Sequence, residues 1–501
     1  MKRNITSIIY LVVIGIFFVS CAKDTGNYDY NTINKITFKD PSNVGKIFVR
    51  QGEALKLAPE ISLNGNDDDL SFQWFVYLNS FSAEYVQDST LISTTRNLNY
   101  TVSPDVFDLG EDYKLTYKVT NNKTGLSYFY FYQLTVSDVF TTGWLFLEDK
   151  SGNADLAMIL KDGTVYRDIY SFRNSDHPIK NPKAFKISAW SISDAVGPDG
   201  KKYYLVGEND AIELDGTTMK KRFEYDYLFF SAPATKKPTL IDWGGTSGTT
   251  LGLLINNGNL HTNFVGGFPG AKKYGSQLPS PNNAYNYRLA PQFISGNAYG
   301  DTYSIIMYDE INKRFYDVVN DGLRRFDNAA QNTAIFDMNN VGLDLIKLDS
   351  SNRVEIRNAV MKDSQGKAYL LQFRMHRTGE QPTITVGKQE INSPGIAQAA
   401  DVTCSTLSPH LFYGANGKLY RYEVTSNTYS EEYAFGANET VTKIKFQKHG
   451  YGAAQPRLIV TTWDGTQGKV YYFKITQTGT VDSLDKVYDG FGKIIDLAFK
   501  Y

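Results

Sequence analysis

A β-hairpin that recurs about every 50 residues limits the fold of this chain more than any other feature of its sequence. Its seven turns lie 47 to 54 residues apart, and they centre on Asp162, Asn209, Asn257, Ile311, Ser364, Asn416 and Asp464. Four-stranded units at this spacing are typical of β-propellers, whereas tandem sandwich domains would need about 100 residues per copy. The repeat therefore predicts an all-β chain whose larger part is a seven-bladed β-propeller.

The last strand of the chain, KIIDLAFK (Lys493–Lys500), is left over after the seven hairpins are counted. The first unit opens on another strand, GWLFLED, at residues 143–149. Pairing of the last strand with the first unit would close the ring and protect both exposed sheet edges. We therefore predict that the propeller spans residues 139–501 and is closed by its C-terminal strand.

A separate β-domain is predicted for residues 33–138, because a chain of 501 residues exceeds what one core usually supports. Short strands alternate there with turns, and LSFQWFVYL (Leu70–Leu78) carries Trp74 in its middle. A hairpin follows at residues 113–136, with its turn at Asn122 to Gly125. This pattern predicts an immunoglobulin-like sandwich.

The first 20 residues have the pattern of a signal peptide. Lys2 and Arg3 precede an apolar run at residues 8–19, and Ser20 and Cys21 follow it. This ending resembles the lipobox of bacterial lipoproteins, which implies acylation of Cys21 and membrane attachment, with residues 21–32 as a tether. The alternative is an ordinary secretory signal with an incidental cysteine.

Two segments resemble the PKD-like family of lipoproteins of Bacteroidota: CAKDTGNYDYNTIN at residues 21–34 and YKLTYKVTN at residues 113–121. The WDFGDG-type segment of classical PKD domains is replaced by QWFV at residues 73–76. The resemblance implies an outer-membrane lipoprotein facing the cell exterior. It also implies an accessory role beside a TonB-dependent nutrient transporter.

Composition and motifs argue against several function classes. The chain has 52 basic and 53 acidic residues and no basic run, so nucleic acid is not an expected partner. The sequence lacks HExxH, GxSxG, CxxC and phosphate-loop motifs, so we expect no catalytic residue, metal or cofactor. The acidic turn at residues 67–69 lacks calcium-loop spacing, and Cys404 is predicted to be a small core residue.

Aromatic residues in loops could offer flat faces to a sugar or peptide, although the more ordinary role for each is to cap a blade or fill a gap between blades. The ligand-binding candidates are Trp190, Trp243, Tyr285, Tyr287, Arg288 and Trp463. The leading hypothesis is a non-enzymatic lipoprotein that binds a glycan or peptide nutrient through its propeller. The alternatives are a propeller-based hydrolase or lyase, and a structural adaptor in a transporter complex.

Overall fold

The computed structural model describes residues 35–40, 43, 45–63, 69–78, 89–108, 111–137, 140, 142–189, 201–216, 218–244, 251–264, 273–296, 305–319, 322–327, 332–375, 384–447 and 456–500. The predicted signal peptide, Cys21, the tether and Trp190 lie outside these residues. The chain separates into two compact units, residues 1–137 and 138–501.

The first unit is built from short antiparallel strands and one parallel pair. Its strands are β1 (Thr37–Lys39), β2 (Lys46–Arg50), β3 (Ala54–Leu57), β4 (Glu60–Ser62), β5 (Leu70–Leu78), β6 (Thr90–Ser93), β7 (Leu98–Thr101), β8 (Asp112–Asn121) and β9 (Ser127–Ser137). Five of them form a sheet in the order β2-β9-β8-β5-β6, and β1 pairs with β4 and β3 with β7. The parallel pair is β2 with β9.

Aromatic side chains form the core of this sandwich. Trp74 is fully buried, and its ring stacks on that of Tyr117 at a centroid distance of 4.1 Å. The indole N–H of Trp74 donates a 2.9 Å hydrogen bond to the carbonyl oxygen of Thr95, so burial leaves no polar atom of this residue unpaired. Successive side chains of β5, β8 and β9 point to opposite faces of the sheet, so every second residue of these strands faces away from the core.

The second unit consists of sheets that each have one innermost strand. The first sheet contains β10 (Gly143–Lys150), β11 (Asn153–Leu160), β12 (Val165–Tyr166) and β36 (Lys493–Lys500), with helix α1 (Ile169–Arg173) after β12. The next sheets contain β13 (Ala184–Ala189), β14 (Lys201–Val206), β15 (Ala211–Leu214) and β16 (Lys221–Glu224); β17 (Pro238–Gly244), β18 (Leu251–Asn256) and β19 (Asn259–Phe264); and β20 (Leu289–Ser295), β21 (Ile305–Asp309), β22 (Arg314–Val319) and β23 (Gly322–Arg324).

Three further sheets complete the unit, so the described residues of the second unit contain seven sheets. They consist of β24 (Asp344–Ser350), β25 (Ile356–Lys362), β26 (Ala368–Arg374) and β27 (Thr385–Glu390); β28 (Val402–Cys404), β29 (His410–Ala415), β30 (Lys418–Glu423) and β31 (Thr428–Ala434); and β32 (Thr440–Gln447), β33 (Arg457–Trp463), β34 (Gly468–Ile475) and β35 (Val481–Phe491). Short 3-10 helices cover Tyr225–Leu228, Pro281–Asn283 and Ile396–Gln398.

The innermost strands are arranged in a closed ring. In the order β36, β13, β17, β20, β24, β28 and β32, each strand contacts the next, and β32 contacts β36. An apolar cluster fills each gap between consecutive sheets, including the gap between the last sheet and the first. Strand β36 pairs antiparallel with β10, with Lys500 opposite Gly143, so the C-terminal strand is the innermost strand of the first sheet.

This pairing corrects the phase of the first hairpin in the repeat. The sequence pattern aligns the turn at Asp162, between β11 and β12, with the turns of the other units. In those units the aligned turn joins the second and third strands, whereas Asp162 joins the third and fourth. The equivalent turn in the first sheet is at Ser151 and Gly152, because β36 supplies the strand that would otherwise precede β10.

Candidate functional site

Charged side chains from six sheets meet around the axis of the propeller. We call them the axial charges: Lys186, Asp242, Lys347, Asp349, Asp401, Lys443, Lys445 and Asp496. Lys445 of β32 interacts electrostatically with Asp349 of β24 and Lys186 of β13, although neither strand is next to β32 in the ring. Side chains from strands this far apart can interact only across the axis.

Two lysine–aspartate pairs join neighbouring sheets at the axis. The ammonium group of Lys186 lies 2.7 Å from Asp496, and that of Lys347 lies 2.6 Å from Asp401. Each carboxylate also accepts a backbone N–H from the next innermost strand, at 3.1 Å from Phe185 and 3.3 Å from Ile444. The pairs therefore fasten adjacent sheets.

Asp349 and Gln292 also fasten adjacent sheets. Among the described residues, no lysine lies at ion-pair distance from Asp349. Asp349 accepts the backbone N–H of Cys404 at 2.9 Å, and Gln292 accepts that of Leu348 at 3.0 Å. Innermost strands have no ladder partner on their axial side, so their backbone groups need side-chain partners there. Much of the axial polarity thus satisfies the backbone.

The axial pairs shift the pKa values of their members in opposite directions. Burial alone would raise the pKa of Asp401, but the ammonium groups of Lys347 and Lys443 outweigh burial and lower it. Burial alone would lower the pKa of Lys347, but Asp401 and Asp349 outweigh burial and raise it. Both pairs therefore stay ionised at neutral pH.

A cavity of about 660 Å³ opens at the end of the axis where the innermost strands begin. We call it the start-face cavity. Its polar lining includes Lys183, Lys443 and Lys493, and among the described residues that line it none is acidic. Thr440 and Asn416 add a hydroxyl and an amide. The cavity is therefore cationic and has both donors and acceptors for a polar ligand.

A second cavity, of about 320 Å³, lies toward the other end of the axis, where the innermost strands end. We call it the end-face cavity. Trp144, Phe185 and Phe499 are among its aromatic lining residues, and Lys445 and Gln447 are among its polar ones. It is smaller than the start-face cavity and much richer in aromatic surface.

Two of the sequence candidates are buried and offer no face to a ligand. The indole N–H of Trp243 donates to the hydroxyl of Tyr204 at 2.9 Å, within the apolar cluster between two sheets. The hydroxyl of Tyr287 donates to the carbonyl oxygen of Leu278 at 2.6 Å, and its ring lies in the next cluster. For both residues, filling a gap between blades is the observed role.

The remaining described candidates lie on the start side but do not form one site. Tyr285 is half-buried, with the guanidinium of Arg314 5.2 Å from its ring centroid. Arg288 is exposed and pairs with Glu310 at 3.0 Å. Trp463 ends β33 in another sheet, and its carbonyl oxygen accepts the hydroxyl of Thr440, which lines the start-face cavity. None of the three lines either cavity.

A Ser–His–Glu arrangement in the sixth sheet could suggest hydrolase chemistry. Ser408 Oγ lies 2.8 Å from Nδ1 of His410, and Glu423 lies 2.5 Å from Nε2. The carbonyl oxygen of Gly479, 2.9 Å from Nδ1, can only accept a hydrogen bond; a proton on Nδ1 satisfies it, and Nδ1 then cannot act as a base toward Ser408. Both Ser408 and His410 are buried, and neither lines a cavity described above.

The described part of the chain has neither a membrane-spanning helix nor a metal-binding cluster. No helix there is long and apolar enough to cross a membrane. No group of three or more His, Cys, Asp or Glu side chains there is placed to hold a metal ion. Cys404 is buried in the apolar cluster between the fifth and sixth sheets, which confirms its prediction as a core residue.

The fold and the axis define a two-unit, all-β protein with a PKD-like sandwich followed by a β-propeller. Residues 21–182 match the model of the PKD-like family, a match that covers the sandwich and continues through β10, β11 and β12. No curated protein matches the sequence.

Among solved structures, the chain is similar to a quinonprotein alcohol dehydrogenase-like protein from Bacteroides thetaiotaomicron, with 14% identity, 91% of this chain and 97% of the other covered, and a TM-score of 0.46. It is also similar to the Dos1 propeller, with 11% identity, coverage of 69% and 86%, and a TM-score of 0.37. The chain is also similar to the Nup133 β-propeller domain of Vanderwaltozyma polyspora, with 10% identity, 63% of this chain and 92% of the other covered, and a TM-score of 0.36. The architecture described above rests on strand pairing and not on these similarities.

Proposed function

We propose that this chain is a non-enzymatic, surface-exposed outer-membrane lipoprotein, anchored through acylated Cys21, that binds an acidic glycan as an accessory of a TonB-dependent uptake system. The observation that carries the binding proposal is the start-face cavity, about 660 Å³ in volume and lined by Lys183, Lys443 and Lys493. Its volume is within the range of small-molecule sites.

Of the three lysines that line the start-face cavity, only Lys443 is one of the axial charges. Its ammonium group interacts with the carboxylates of Asp401 and Asp496, yet in the described residues it forms no ion pair of its own. A carboxylate or sulfate on a sugar could therefore reach it without displacing an existing partner. The hydroxyl of Thr440 and the amides of Asn416 and Gln398 suit the hydroxyl groups of a glycan.

Calorimetric titration of the full-length protein, held in a detergent without a sugar headgroup, tests this proposal. An oligogalacturonide should bind, a neutral oligosaccharide of equal length should bind at least about tenfold more weakly, and Lys443→Gln should weaken acidic-glycan binding about tenfold. Lys161→Gln, which changes an exposed turn lysine outside both cavities, is the matched control. Equal affinity of Lys443→Gln and wild type would refute the proposal, and preference for an acidic peptide would reassign the ligand.

The lipid anchor has a separate test. Cells grown with a labelled fatty acid should incorporate it into the wild-type protein and not into Cys21→Ala. Protease treatment of intact cells should then degrade the wild-type protein if it faces outward. Labelling of both forms would exclude acylation at this cysteine.

An adaptor role is the second candidate, and an exposed aromatic face on the sandwich favours it. Phe129 and Phe131 of β9 are 51% and 46% exposed and stack with an interplanar angle of 6°. Leu91 of β6 is also exposed. Apolar surface of this kind commonly marks protein contacts. Loss of transporter components from pull-downs with Phe129→Ser/Phe131→Ser would support this role, and unchanged recovery would count against it.

A further inference from the structure

The end-face cavity has features that the start-face cavity lacks. It holds about 320 Å³, which suits a ligand of one or two residues in size. One part of its lining is apolar, and another part carries polar groups from the end of β32. Among the described residues, Lys445 forms no ion pair and Gln447 Oε1 accepts no hydrogen bond; Asp242 and Lys186 are the other charged groups of the lining.

Gln447 carries a buried acceptor that no described residue satisfies. The residue is 5% exposed, and its Oε1 atom has no hydrogen-bond partner. Buried carbonyl oxygens are nearly always paired, because leaving one unpaired costs free energy of folding. A ligand that donates an N–H or O–H into the cavity would remove that cost on binding.

Lys445 precedes Gln447 by two residues, so the two side chains leave β32 on the same face. In the described residues Lys445 forms no ion pair, whereas Lys186, which also lines the cavity, is paired with Asp496. Solvent reaches the Lys445 side chain, but protein surrounds it at the axis. Burial lowers its pKa and Lys347 and Lys186 lower it further, while Asp349 and Asp401 partly offset these effects. An anionic oxygen from a ligand would add a counter-charge at ion-pair distance.

The apolar part of the cavity is formed by rings and an aliphatic side chain. Trp144 and Phe499 are paired across β10 and β36, with ring centroids 5.2 Å apart, and Leu497 lies two residues before Phe499. An apolar side chain of a ligand would contact this surface while its polar end faces β32.

We propose that the end-face cavity binds a small carboxylate that carries an amide N–H and an apolar side chain. Lys445 binds the carboxylate, Gln447 Oε1 accepts the amide N–H, and Trp144, Leu497 and Phe499 contact the side chain. This chemistry is shared by N-acylated apolar amino acids and by the C-terminal residue of an apolar peptide. The site is distinct from the start-face cavity and does not depend on the function proposed for it.

Calorimetric titration of the full-length protein in detergent with N-acetyl-leucine and with the tripeptide Ala-Ala-Leu tests the proposal. At least one should bind at concentrations up to about 10 mM, and the C-terminal amide of that ligand should bind at least about tenfold more weakly. Binding of both identifies the shared chemistry as sufficient, and binding of the tripeptide alone identifies a peptide as the source.

Two variants separate binding from folding. Lys445→Gln should weaken binding about tenfold. Gln447→Leu should also weaken it about tenfold while leaving the melting temperature unchanged or higher, because it removes an unpaired buried oxygen. Lys161→Gln, an exposed turn lysine outside both cavities, should bind these ligands normally and serves as the matched control. No binding of either ligand, or wild-type affinity in both Lys445→Gln and Gln447→Leu, would overturn the proposal.

Discussion

The sandwich sheet and the propeller sheets bury apolar side chains in different ways. In the five-stranded sheet of the sandwich, one face packs around Trp74, and the other leaves Phe129 and Phe131 exposed. In the propeller, strands such as β18 (Leu251–Asn256) are buried on both faces, because each sheet lies between two neighbours. The sandwich strands therefore alternate in burial, whereas the central propeller strands are buried along their whole length.

This difference decides where each unit can keep polar side chains. The sandwich keeps them on an open sheet face, beside its exposed rings. The propeller places many of them in turns or around its axis, where backbone groups and opposite charges hold them. At the axis, Gln447 Oε1 has no hydrogen-bond partner and Lys445 has no ion-pair partner among the described residues, which is unusual for polar groups in these surroundings.

Removal of β36 should have the largest effect on stability, and it should act on the propeller and not on the sandwich. Without residues 493–501 the first sheet loses its innermost strand, and the apolar cluster between the last and first sheets loses Ile494 and Leu497. The loss should exceed a domain's usual stability of about 5–15 kcal/mol, so the propeller should not unfold cooperatively. Calorimetry should show the propeller transition missing and a sandwich transition remaining. An unchanged thermogram would contradict ring closure by this strand.

Trp74→Ala should destabilise the sandwich and leave the stability of the propeller unchanged. Removing the ring leaves a cavity beside Tyr117 and should cost about 3–5 kcal/mol, confined to the sandwich. Unfolding in denaturant should measure this cost, and calorimetry should show that only the sandwich transition moves to a lower temperature. A shift in the propeller transition as well would mean that the two units unfold together.

Much of this architecture is predictable from sequence because local patterns carry it. Seven hairpins and a last strand, KIIDLAFK, predict a closed propeller. The phase of the first unit is not local, since its innermost strand comes from the far end of the chain. The burial of Trp243 and Tyr287 depends on neighbouring sheets that no single hairpin specifies.

The sequence contains a pattern that indicates the axial charges, but an alignment of the hairpins does not include it. Lys347 and Asp349 lie two residues apart in the apolar strand DLIKLDS, and Lys443 and Lys445 do so in TVTKIKFQ. Both strands precede a hairpin of the repeat, so the alignment of hairpins passes over them. Charges at alternate positions of the strand before each hairpin predict an axis-facing row. Which of them pair could not be deduced, because the partners lie in different sheets.

Asp496→Ala should test whether the axis is held together by its pairs. Lys186 would lose its partner in a largely buried position, which should cost about 3 kcal/mol. The double variant Lys186→Met/Asp496→Leu should cost less than the single variant, because it leaves no unpaired charge. Chemical denaturation of the propeller measures both. A double variant that is less stable than Asp496→Ala would show that the pair itself is strongly stabilising.

Asp317 should make the propeller less stable as pH rises. Burial raises its pKa to about 7, with Arg324 only partly offsetting this, and its Oδ1 atom has no hydrogen-bond partner among the described residues. The unfolded carboxyl ionises near pH 4, so stability falls between about pH 4 and pH 7 and then levels off. Asp317→Asn should stabilise the propeller by about 2 kcal/mol at pH 8, since the gain from removing the buried charge is reduced by the lost pair with Arg324. Melting temperatures of the two proteins should converge near pH 4, and a difference independent of pH would assign the effect to something other than this carboxyl.

Phe129→Ser should have the smallest effect on folding, although the residue is as apolar as those of the core. Its ring is 51% exposed and packs against Phe131 on the open face of the sheet, so little apolar contact is lost. The free energy of unfolding should change by less than about 0.5 kcal/mol, against several for Trp74→Ala in the same sheet. Chemical denaturation of both variants side by side measures the contrast. A cost above about 1 kcal/mol for Phe129→Ser would mean that this face is buried in the folded protein, and the adaptor role would then lose its supporting surface.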